Sequence, residues 1–194
     1  MKSKLLIGVS GASGAPLTYE LLKQLQSYRN HVELHLVMSG AGEQTLQQEL
    51  GMTQEDLKEL VDVRYGNDKI GAAPASGSYK MMGMVIVPCS MKTLAGIACG
   101  FSENLLLRAA DVMLKEHRKL ILVTRECPFN SIHLENMLKL SHMGAVILPP
   151  MLSYYQHPET VEDCTRHIVG KILDQFDLEM EGFKRWSGEQ NDLL

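Results

Sequence analysis

The stretch "LLIGVSGASGAPLTYELL", residues 5–22, decides the fold. Leu5 to Val9 form an apolar run typical of a buried strand, and a glycine- and serine-rich turn leads from it into apolar residues at helical spacing. Pro16 suits the first turn of that helix. Because backbone N–H groups at a helix start point outward along the axis, such a turn predicts an anion-binding site. The identity of the anion is the question that the rest of the sequence must answer.

Composition limits the class of protein. The chain has 194 residues, 45% of them hydrophobic, which predicts one globular domain with a sizeable core. A net charge of −4 without a basic run argues against nucleic acid as a partner. No apolar run approaches the ~20 residues of a membrane span, and the start is too short in apolar residues for a signal peptide. The four cysteines lack metal-ligand spacing, so we expect reduced thiols, a cytoplasmic protein and no metal site.

Short apolar runs alternate with helical patterns along the whole chain. The predicted strands are Leu5–Val9, Val32–Met38, Val61–Tyr65, Met84–Val87, Leu120–Thr124 and Ala145–Leu148. The predicted helices are Pro16–Tyr28, Ala41–Leu50, Gln54–Leu60, Met91–Cys99, Glu103–Lys115, Ile132–His142 and Val161–Phe176. The candidate N-caps are Ser102, Ser131 and Thr160, and Gly144 is placed to end a helix. Alternation of this kind predicts an α/β fold with a mostly parallel sheet and helices on both faces.

Small, hydroxylated, prolyl or charged residues follow every predicted strand. They are Ser10–Ala15, Ser39 and the stretches 72–78, 88–93, 125–129 and 149–155. The carboxyl ends of parallel strands meet at one edge of a sheet, and ligands bind in the crevice beyond that edge. We therefore expect these stretches to converge on a single cleft.

The glycine spacing restricts the kind of anion. Gly8, Gly11 and Gly14 give G-x-x-G-x-x-G, which differs from the dinucleotide motif, and Ser39 stands where an NAD site usually presents a carboxylate. No Walker lysine follows, so a smaller phosphate at a helix start fits best. The alternative is a tight turn whose glycines serve packing alone. An NAD-dependent oxidoreductase is correspondingly disfavoured.

A second hydroxyl-rich turn, "PCSMKTLAG" at residues 88–96, supports a site over packing alone. Ser90, Lys92 and Thr93 follow a predicted buried strand and precede a predicted helix, like the first turn. The alternative is that Ser90 and Thr93 are ordinary N-caps and that Lys92 is a solvated side chain. Two such turns at one edge favour a phosphate site.

These motifs resemble the flavin prenyltransferases, the UbiX-like family associated with hydroxyarylic-acid decarboxylases. The resemblance covers essentially the whole chain and is carried by "SGASGAP", "APASGS", "PCSMKTLAG", "RAADVMLKE", "TRECPF", "IHLENMLKLSHMGAVILPP" and "YYQHPETVED". It implies a three-layer Rossmann-like, flavodoxin-like fold, FMN as cofactor and a homododecamer. It implies transfer of a dimethylallyl group from dimethylallyl phosphate to N5 and C6 of reduced FMN. The product, prenylated FMN, would serve a UbiD-type decarboxylase in ubiquinone synthesis or phenolic-acid decarboxylation.

The resemblance also implies residue roles. The implied FMN contacts are Gly11, Ala12, Ser13, Ser39, Ser90, Met91, Lys92, Thr93, Arg108 and Arg125. The implied contacts of dimethylallyl phosphate are Tyr155, Lys171, Lys115 and Arg125. The implied catalytic residues are Ser13, Glu49, Lys115 and Glu126, with Ser13 near the reacting edge of the flavin. Either Glu49 or Glu126 is the base that removes the flavin C6 proton.

The sequence pattern, taken without the resemblance, predicts ordinary solvated positions for several of these residues. Periodicity makes Glu49 a solvated helix residue, and Arg108 and Lys115, seven residues apart, share one helix face that is ordinarily solvated. Lys171 replaces an arginine of some relatives, which keeps the charge but loses the two-pronged phosphate contact. Arg125 and Glu126 are more informative, because they stand at a strand's carboxyl end just before a proline.

The implied chemistry is metal-independent. Breaking an allylic C–O bond builds negative charge on phosphate, which fixed cations stabilise, and the chain lacks the D-D-x-x-D motif of diphosphate-using prenyl enzymes.

Two rival functions remain. One is an FMN-dependent cysteine decarboxylase, which is disfavoured because Gly77 and Ser78 stand in place of the alanine and asparagine of its P-A-S-A-N-T motif. The other is a non-catalytic flavin carrier or assembly subunit.

We expect residues 1–178 to form the flavin domain. The tail, 179–194 with Trp186, would pack on a neighbouring subunit and end in disordered residues.

Overall fold

The computed structural model describes residues 2–186. It divides into one compact unit that ends at Pro150 and a second that begins at Met151, and we describe each separately. Of the predicted tail, residues 179–186 belong to the second unit. Residues 187–194, including the predicted disordered end, lie outside the described residues.

The first unit contains a six-stranded sheet in which every described pairing is parallel. Its strands are β1 (Ser3–Val9), β2 (Val32–Met38), β3 (Val63–Gly66), β4 (Gly83–Cys89), β5 (Lys119–Thr124) and β6 (Val146–Ile147). The spatial order is β3-β2-β1-β4-β5-β6. The predicted α/β, flavodoxin-like fold is confirmed, and the strand order reverses direction between β1 and β4.

Helices connect the strands and cover the sheet. The first unit contains α1 (Ala15–Gln24), α2 (Gly40–Leu50), α3 (Met91–Ala98), α4 (Leu105–Lys115) and α5 (Ser131–His142), and the second contains α6 (Val161–Asp174). Short 3₁₀ segments occupy Leu25–Tyr28, Glu55–Leu60 and Ala73–Ala75. Helix α1 packs on α2, whereas α3 packs on α4 and α5. From β1 the chain runs one way across the sheet to β2 and β3, and from β4 it runs the other way to β5 and β6. Because such crossovers are right-handed, α1 and α2 lie on one face of the sheet and α3, α4 and α5 on the other.

The strands are apolar on both sides because helices cover both faces. The side chains from Leu120 to Val123 in β5 are fully buried, and every residue of β4 is buried. The inner strands of such a sheet cannot use an alternating pattern, since neither of their faces meets water, whereas the edge strand β3 alternates between half-buried and exposed residues. None of the helices in residues 2–186 combines the length and apolar character that crossing a bilayer requires.

Asparagine, and not serine, caps two of the helices. The predicted caps Ser102 and Ser131 are wrong: the side chains of Asn104 and Asn130 accept the N–H groups at the starts of α4 and α5. Asparagine is as good a cap as serine, and it stands next to the first helical residue in both places. The predicted cap Thr160 is confirmed, with a reciprocal bond from Asp163.

The glycine turn after β1 packs directly against α2. A Cβ added to Gly11 would lie 2.3 Å from Ala41 Cβ and 3.1 Å from the Ala41 carbonyl carbon. Backbone atoms are too rigid to accept such a contact without a shift of the helix. Gly11 is therefore required for close approach, whereas no atom would meet a Cβ at Gly40 within 4 Å.

We expect Gly11→Ala to lower the free energy of unfolding by about 1–3 kcal/mol, the usual cost of overpacking. Urea unfolding followed by circular dichroism measures the change. Gly40→Ala is the matched control and is expected to stay within about 0.5 kcal/mol of the parent chain. Equal losses in both variants would contradict the packing explanation.

Candidate functional site

A buried serine joins the carboxyl ends of β1 and β4, where the strand order reverses. Ser10 Oγ donates to the Pro88 carbonyl at 3.0 Å and accepts the Ser90 N–H at 2.8 Å. The Ser10 N–H donates to the same Pro88 carbonyl at 3.2 Å. The two hydroxyl-rich turns predicted from sequence are therefore held together by one side chain at the switch point, where such sheets bind ligands.

The start of α1 is capped by a carboxylate of the chain itself. Glu49, near the end of α2, accepts the Gly14 N–H at 3.0 Å and the Ala15 N–H at 2.8 Å through Oε2. Gly14 has a φ of 134°, a conformation that side-chain-bearing residues rarely adopt. The sequence predicts a ligand phosphate at this helix start. The structure instead places the Glu49 carboxylate there, so the ligand anion has to be held elsewhere.

The donors around Glu49 keep its carboxyl group ionised. Burial by itself would raise the pKa of Glu49. Hydrogen bonds from the Ser13 side chain and from the Gly14 and Ala15 N–H groups, together with the charge of Arg125, outweigh burial and hold that pKa below its usual range. Glu49 is therefore a fixed anion that also contacts Ser13.

Two further helix starts lie at the same edge of the sheet and carry hydroxyl caps. Ser39 Oγ accepts the Gly42 N–H at 3.1 Å at the start of α2. Ser90 Oγ accepts the Thr93 N–H at 3.3 Å at the start of α3 and donates to Thr93 Oγ1 at 3.1 Å. The alternative interpretation as N-caps is thus correct for Ser90 and wrong for Thr93, which lies inside the first turn of α3. Ser39, for which no cap was predicted, also caps a helix. A hydroxyl oxygen has two acceptor sites, so one that accepts a backbone N–H at a helix start can still accept a second hydrogen bond.

The exit of β5 adds a cation and a second carboxylate to this edge. The Arg125 N–H donates to the Cys89 carbonyl at 3.1 Å, which fixes Arg125 beside the end of β4. The charge of Arg125 acts on the Glu49 carboxylate across the cleft. Glu126 is exposed, and its Oε1 accepts the Cys127 N–H at 3.1 Å.

The residues at this edge fit a phosphate-bearing aromatic ligand. Lys92 and Arg125 are exposed cations beside half-buried hydroxyls, and Met91 contributes a buried apolar side chain. Thr124 Oγ1, at the last position of β5, is buried without a hydrogen-bond partner within residues 2–186. Over the same residues no group of three or more histidine, cysteine, aspartate or glutamate side chains could hold a metal ion. The donor set is therefore one of hydroxyls, backbone N–H groups and cations.

The two predicted site residues on α4 lie at opposite ends of that helix. Arg108 is one turn from its start, where the Leu105 N–H donates to the Asn67 carbonyl just beyond β3, whereas Lys115 is its last residue. Arg108 Nη1 pairs with Asp111 Oδ2 at 2.6 Å, and its Nε donates to the Ala75 carbonyl at 3.3 Å. Lys115 pairs with Glu116 at the end of α4, close to the amino end of β5. The six residues of β5 span roughly 20 Å, which separates Lys115 from Arg125 within one chain.

The stretch 72–78, which the sequence predicts to reach the cleft, follows α4. Its Ala75 carbonyl accepts a hydrogen bond from Arg108 Nε near the start of that helix. Farther along, Arg118 donates to the Gly77 carbonyl at 2.5 Å and to the Tyr79 carbonyl at 2.9 Å. A Cβ on Gly77 would meet Glu116 Oε1 at 2.1 Å. Gly77 therefore packs directly against the end of α4.

The remaining two predicted residues lie in the second unit. The Tyr155 ring makes edge contacts with His167, at a centroid distance of 6.1 Å, and with Trp186, at 5.6 Å. Lys171, on α6, is half exposed, and its Nζ lies 3.7 Å from Asp174 Oδ2. Both side chains are thus held by contacts within their own unit.

The second unit also contains a cavity of about 350 Å³. Its lining includes Ser153, Cys164, His167 and Phe183. Ser153 Oγ and His167 Nδ1 are buried without a hydrogen-bond partner in the described part of the chain. Burial and the charge of Lys171 lower the pKa of His167, which favours the neutral ring.

Sequence reasoning assigned no role to Ser10, Asp174 or Arg185. Ser10 was visible only as a hydroxyl at the end of an apolar run, which is a signal too weak to show a bond to residue 88. Asp174 and Arg185 look like ordinary surface charges in the sequence. Their contacts depend on the fold of the second unit.

Comparisons with known proteins agree with this architecture. The family model described as Flavoprotein matches residues 1–174. The "Probable UbiX-like flavin prenyltransferase" of Sedimentibacter hydroxybenzoicus is 50% identical over 97% of this chain and 100% of its own. The dodecameric FMN-dependent UbiX-like decarboxylase from Escherichia coli O157:H7 is 49% identical with a TM-score of 0.93, covering 95% of this chain and 100% of that one. AnUbiX (PadA1), solved with FMN and dimethylallyl pyrophosphate, is 42% identical with a TM-score of 0.93, covering 97% and 99%.

A doubly wound sheet with hydroxyl-capped helices at its switch point defines a nucleotide-binding α/β protein. The sequence identities to the UbiX-like proteins identify the family within that class. The chain belongs to the Flavoprotein family and, within it, to the UbiX-like flavin prenyltransferases.

We expect Glu49→Gln to lower the free energy of unfolding by about 1 kcal/mol at neutral pH, as loss of a helix cap does. The folded-state pKa of Glu49 lies below its ordinary value of 4.5, so the unfolded chain binds more protons between the two values. The stability difference between parent and variant is therefore complete above about pH 4.5 and disappears as the pH falls through the folded-state pKa.

Urea unfolding measured at intervals of about one pH unit, between about pH 3 and pH 8, gives this stability difference. Gln47→Ala, at an exposed glutamine of the same helix, is the control: it removes no titratable group, so its effect is expected to be independent of pH. A Glu49→Gln deficit that persists at low pH would show that the carboxylate charge is not what stabilises the helix start.

Proposed function

We propose that this transferase joins the dimethylallyl group of dimethylallyl phosphate to N5 and C6 of reduced FMN, giving prenylated FMN. The observation that carries the proposal is the near-complete match to AnUbiX, whose structure holds FMN and dimethylallyl pyrophosphate. The cleft at the end of β1 and β4 supports it, because hydroxyls and exposed cations gather there without a metal-binding group among residues 2–186.

We assign the flavin to the cleft around Ser10. Gly11, Ala12 and Ser13 would face the ring system, and the hydroxyls of Ser39, Ser90 and Thr93 would hold the phosphate at the starts of α2 and α3. Arg125 and Lys92 would add positive charge, and Met91 would add apolar contact. Since Glu49 already takes the N–H groups of Gly14 and Ala15, the phosphate belongs at the other two helix starts.

The chemistry needs a nucleophile, a stabilised leaving group and a base. Reduced FMN, when bound, supplies the electron-rich N5 and C6 that accept the allyl carbons. The donor's C–O bond breaks with its electron pair staying on phosphate, so cations that face the phosphate lower the barrier. The bond to N5 would replace the broken C–O bond, and N5 would release its proton. The bond to C6 would use the donor's C=C bond, whose other carbon takes up a proton, while a carboxylate accepts the proton that C6 loses.

We assign that base to Glu126. Glu49 is held as an anion by Ser13 and two backbone N–H groups, which makes it a weak proton acceptor. Glu126 is exposed at the end of β5, and its contact within the described residues is with the neighbouring Cys127 N–H. In this assignment Glu49 fixes the glycine turn and orients Ser13, while Glu126 moves the proton.

The donor phosphate would be bound by Tyr155 and Lys171, together with Arg125 and Lys115. Within one chain Lys115 lies the length of β5 from Arg125. Its role in the cleft therefore requires a neighbouring copy. The dodecameric assembly of the E. coli relative supports a homo-oligomer, which we propose is a dodecamer with residues 179–186 packed on a neighbour.

We further propose that the protein works in the cytoplasm and delivers prenylated FMN to a UbiD-type decarboxylase. Residues 1–178 would act as the flavin-binding part of the chain. The two rival functions are a cysteine decarboxylase and a flavin carrier without activity, and each gives a different result in the experiment below.

The test is an anaerobic incubation of the protein with reduced FMN and dimethylallyl phosphate, followed by mass spectrometry of the released flavin. A flavin heavier by one dimethylallyl unit is expected. Unchanged flavin that stays bound would favour the carrier, and turnover of cysteine-ended peptides would favour the decarboxylase. Dimethylallyl diphosphate in a parallel incubation measures donor preference.

We expect Glu126→Gln to keep FMN bound but to slow product formation by about a hundredfold or more, since general-base contributions are of that size. Flavin absorbance of the purified variant measures binding, and the anaerobic assay measures the rate. Glu135→Gln, at an exposed glutamate of α5, is the control and should leave the rate unchanged. An unchanged rate in Glu126→Gln would remove Glu126 from the mechanism.

A further inference from the structure

Asp174 in the second unit faces two cations. Arg185 makes a bidentate contact with the Asp174 carboxylate: Nη2 donates to Oδ1 at 2.6 Å and Nη1 donates to Oδ2 at 3.1 Å. Lys171 Nζ lies 3.7 Å from the same Oδ2, which is beyond hydrogen-bonding distance. The Asp174 side chain is only 16% exposed, so few water molecules compete for it. The carboxylate is thus committed to Arg185.

The spacing on α6 would otherwise favour a different pair. Residues three apart on a helix are neighbours, and a lysine and an aspartate at that spacing attract each other. If Arg185 were absent, Asp174 Oδ2 would be free to accept a hydrogen bond from the Lys171 ammonium. The lysine would then be held by an internal carboxylate and would bind an external phosphate less well.

We propose that Arg185 is a positioning residue for the donor site, which saturates Asp174 and so leaves the Lys171 ammonium available to the phosphate of the prenyl donor. The inference rests on the proposed function, in which Lys171 contacts that phosphate. Two observations support it: the paired geometry of the Arg185 contact, and the half-exposed position of Lys171. Asp174 and Glu179 also raise the pKa of Arg185, so the guanidinium stays charged at every working pH.

Arg185 also has a structural role that the test must separate. Its guanidinium lies over the Phe183 ring at 5.1 Å and pairs with Glu179 Oε2 at 3.0 Å. The next residue, Trp186, contacts Tyr155. Loss of Arg185 would therefore loosen residues 179–186 as well as release Asp174.

A double variant separates the two roles. Arg185→Gln is expected to raise the KM for dimethylallyl phosphate roughly two- to fivefold at nearly constant kcat, the size expected of one surface ion pair. Asp174→Asn combined with Arg185→Gln also lacks the guanidinium, but it has no carboxylate to capture Lys171. Its KM is expected to return close to that of the parent enzyme. A purely structural role predicts that the double variant is at least as impaired as Arg185→Gln.

Trp186 reports the structural part independently, because it is the single tryptophan of the chain. Its emission spectrum is expected to change equally in Arg185→Gln and in the double variant, while their KM values differ. Arg64→Gln is the matched control, since Arg64 forms another surface ion pair, with Glu55, in the first unit. That control should leave both the KM and the emission spectrum unchanged.

Lys171→Gln distinguishes failure of this inference from failure of the proposed function. If Lys171→Gln leaves the KM for the donor unchanged, the assignment of Lys171 to the phosphate is wrong and the inference falls with it. If Lys171→Gln raises the KM but the double variant stays as impaired as Arg185→Gln, only the role of Arg185 is overturned.

Discussion

The Ser10 hydroxyl is the interaction on which the site depends. It joins the ends of β1 and β4 by bonding a carbonyl on one turn and an N–H on the next. These two strands leave the switch point with their connections running in opposite directions, and the Ser10 hydroxyl reinforces the bond from the Ser10 N–H to the Pro88 carbonyl. A buried hydroxyl with both a donor and an acceptor partner fixes the distance between the two strand ends, and an unmatched one would be costly. The starts of α1 and α3 are thereby held in one arrangement.

The cleft already contains a negative charge of its own. Glu49 reaches from α2 to the start of α1, and its charge is stabilised by Ser13, two backbone N–H groups and Arg125. The Glu49 carboxylate therefore occupies the start of α1, whereas the starts of α2 and α3 carry hydroxyl caps. The anion that the glycine turn was expected to bind from solution is provided by the protein.

Each cation that the sequence predicts to act from α4 or α6 has a nearby acidic partner. Arg108 pairs with Asp111, Lys115 with Glu116, and Lys171 lies near Asp174. Such pairs contribute little to stability at a surface, but they restrict where a long flexible side chain can be. For Lys171 the partner is drawn away by a second cation, so that orientation is kept without loss of the free charge.

The distribution of the predicted residues shows where local reasoning stops. Runs such as Leu5–Val9 and Leu120–Thr124 were recognisable because burial on both faces imposes an apolar run. The Thr160 cap and the turn at Gly144, with a φ of 93°, were recognisable because they depend on a few adjacent residues. The caps at Asn104 and Asn130 were missed by one or two positions, since several polar residues at each helix start were equally suitable.

Periodicity and the common direction of parallel strands were enough to predict the α/β fold, the order of helices and strands, and the edge of the sheet at which the polar turns gather. The Glu49 cap on α1, the path of residues 72–78 along α4 and the pairing of Arg185 with Asp174 became visible only in the folded chain. These contacts join residues 11 to 41 positions apart. No spacing rule covers such pairs, because their geometry is set by how helices and strands pack and not by the chain between them.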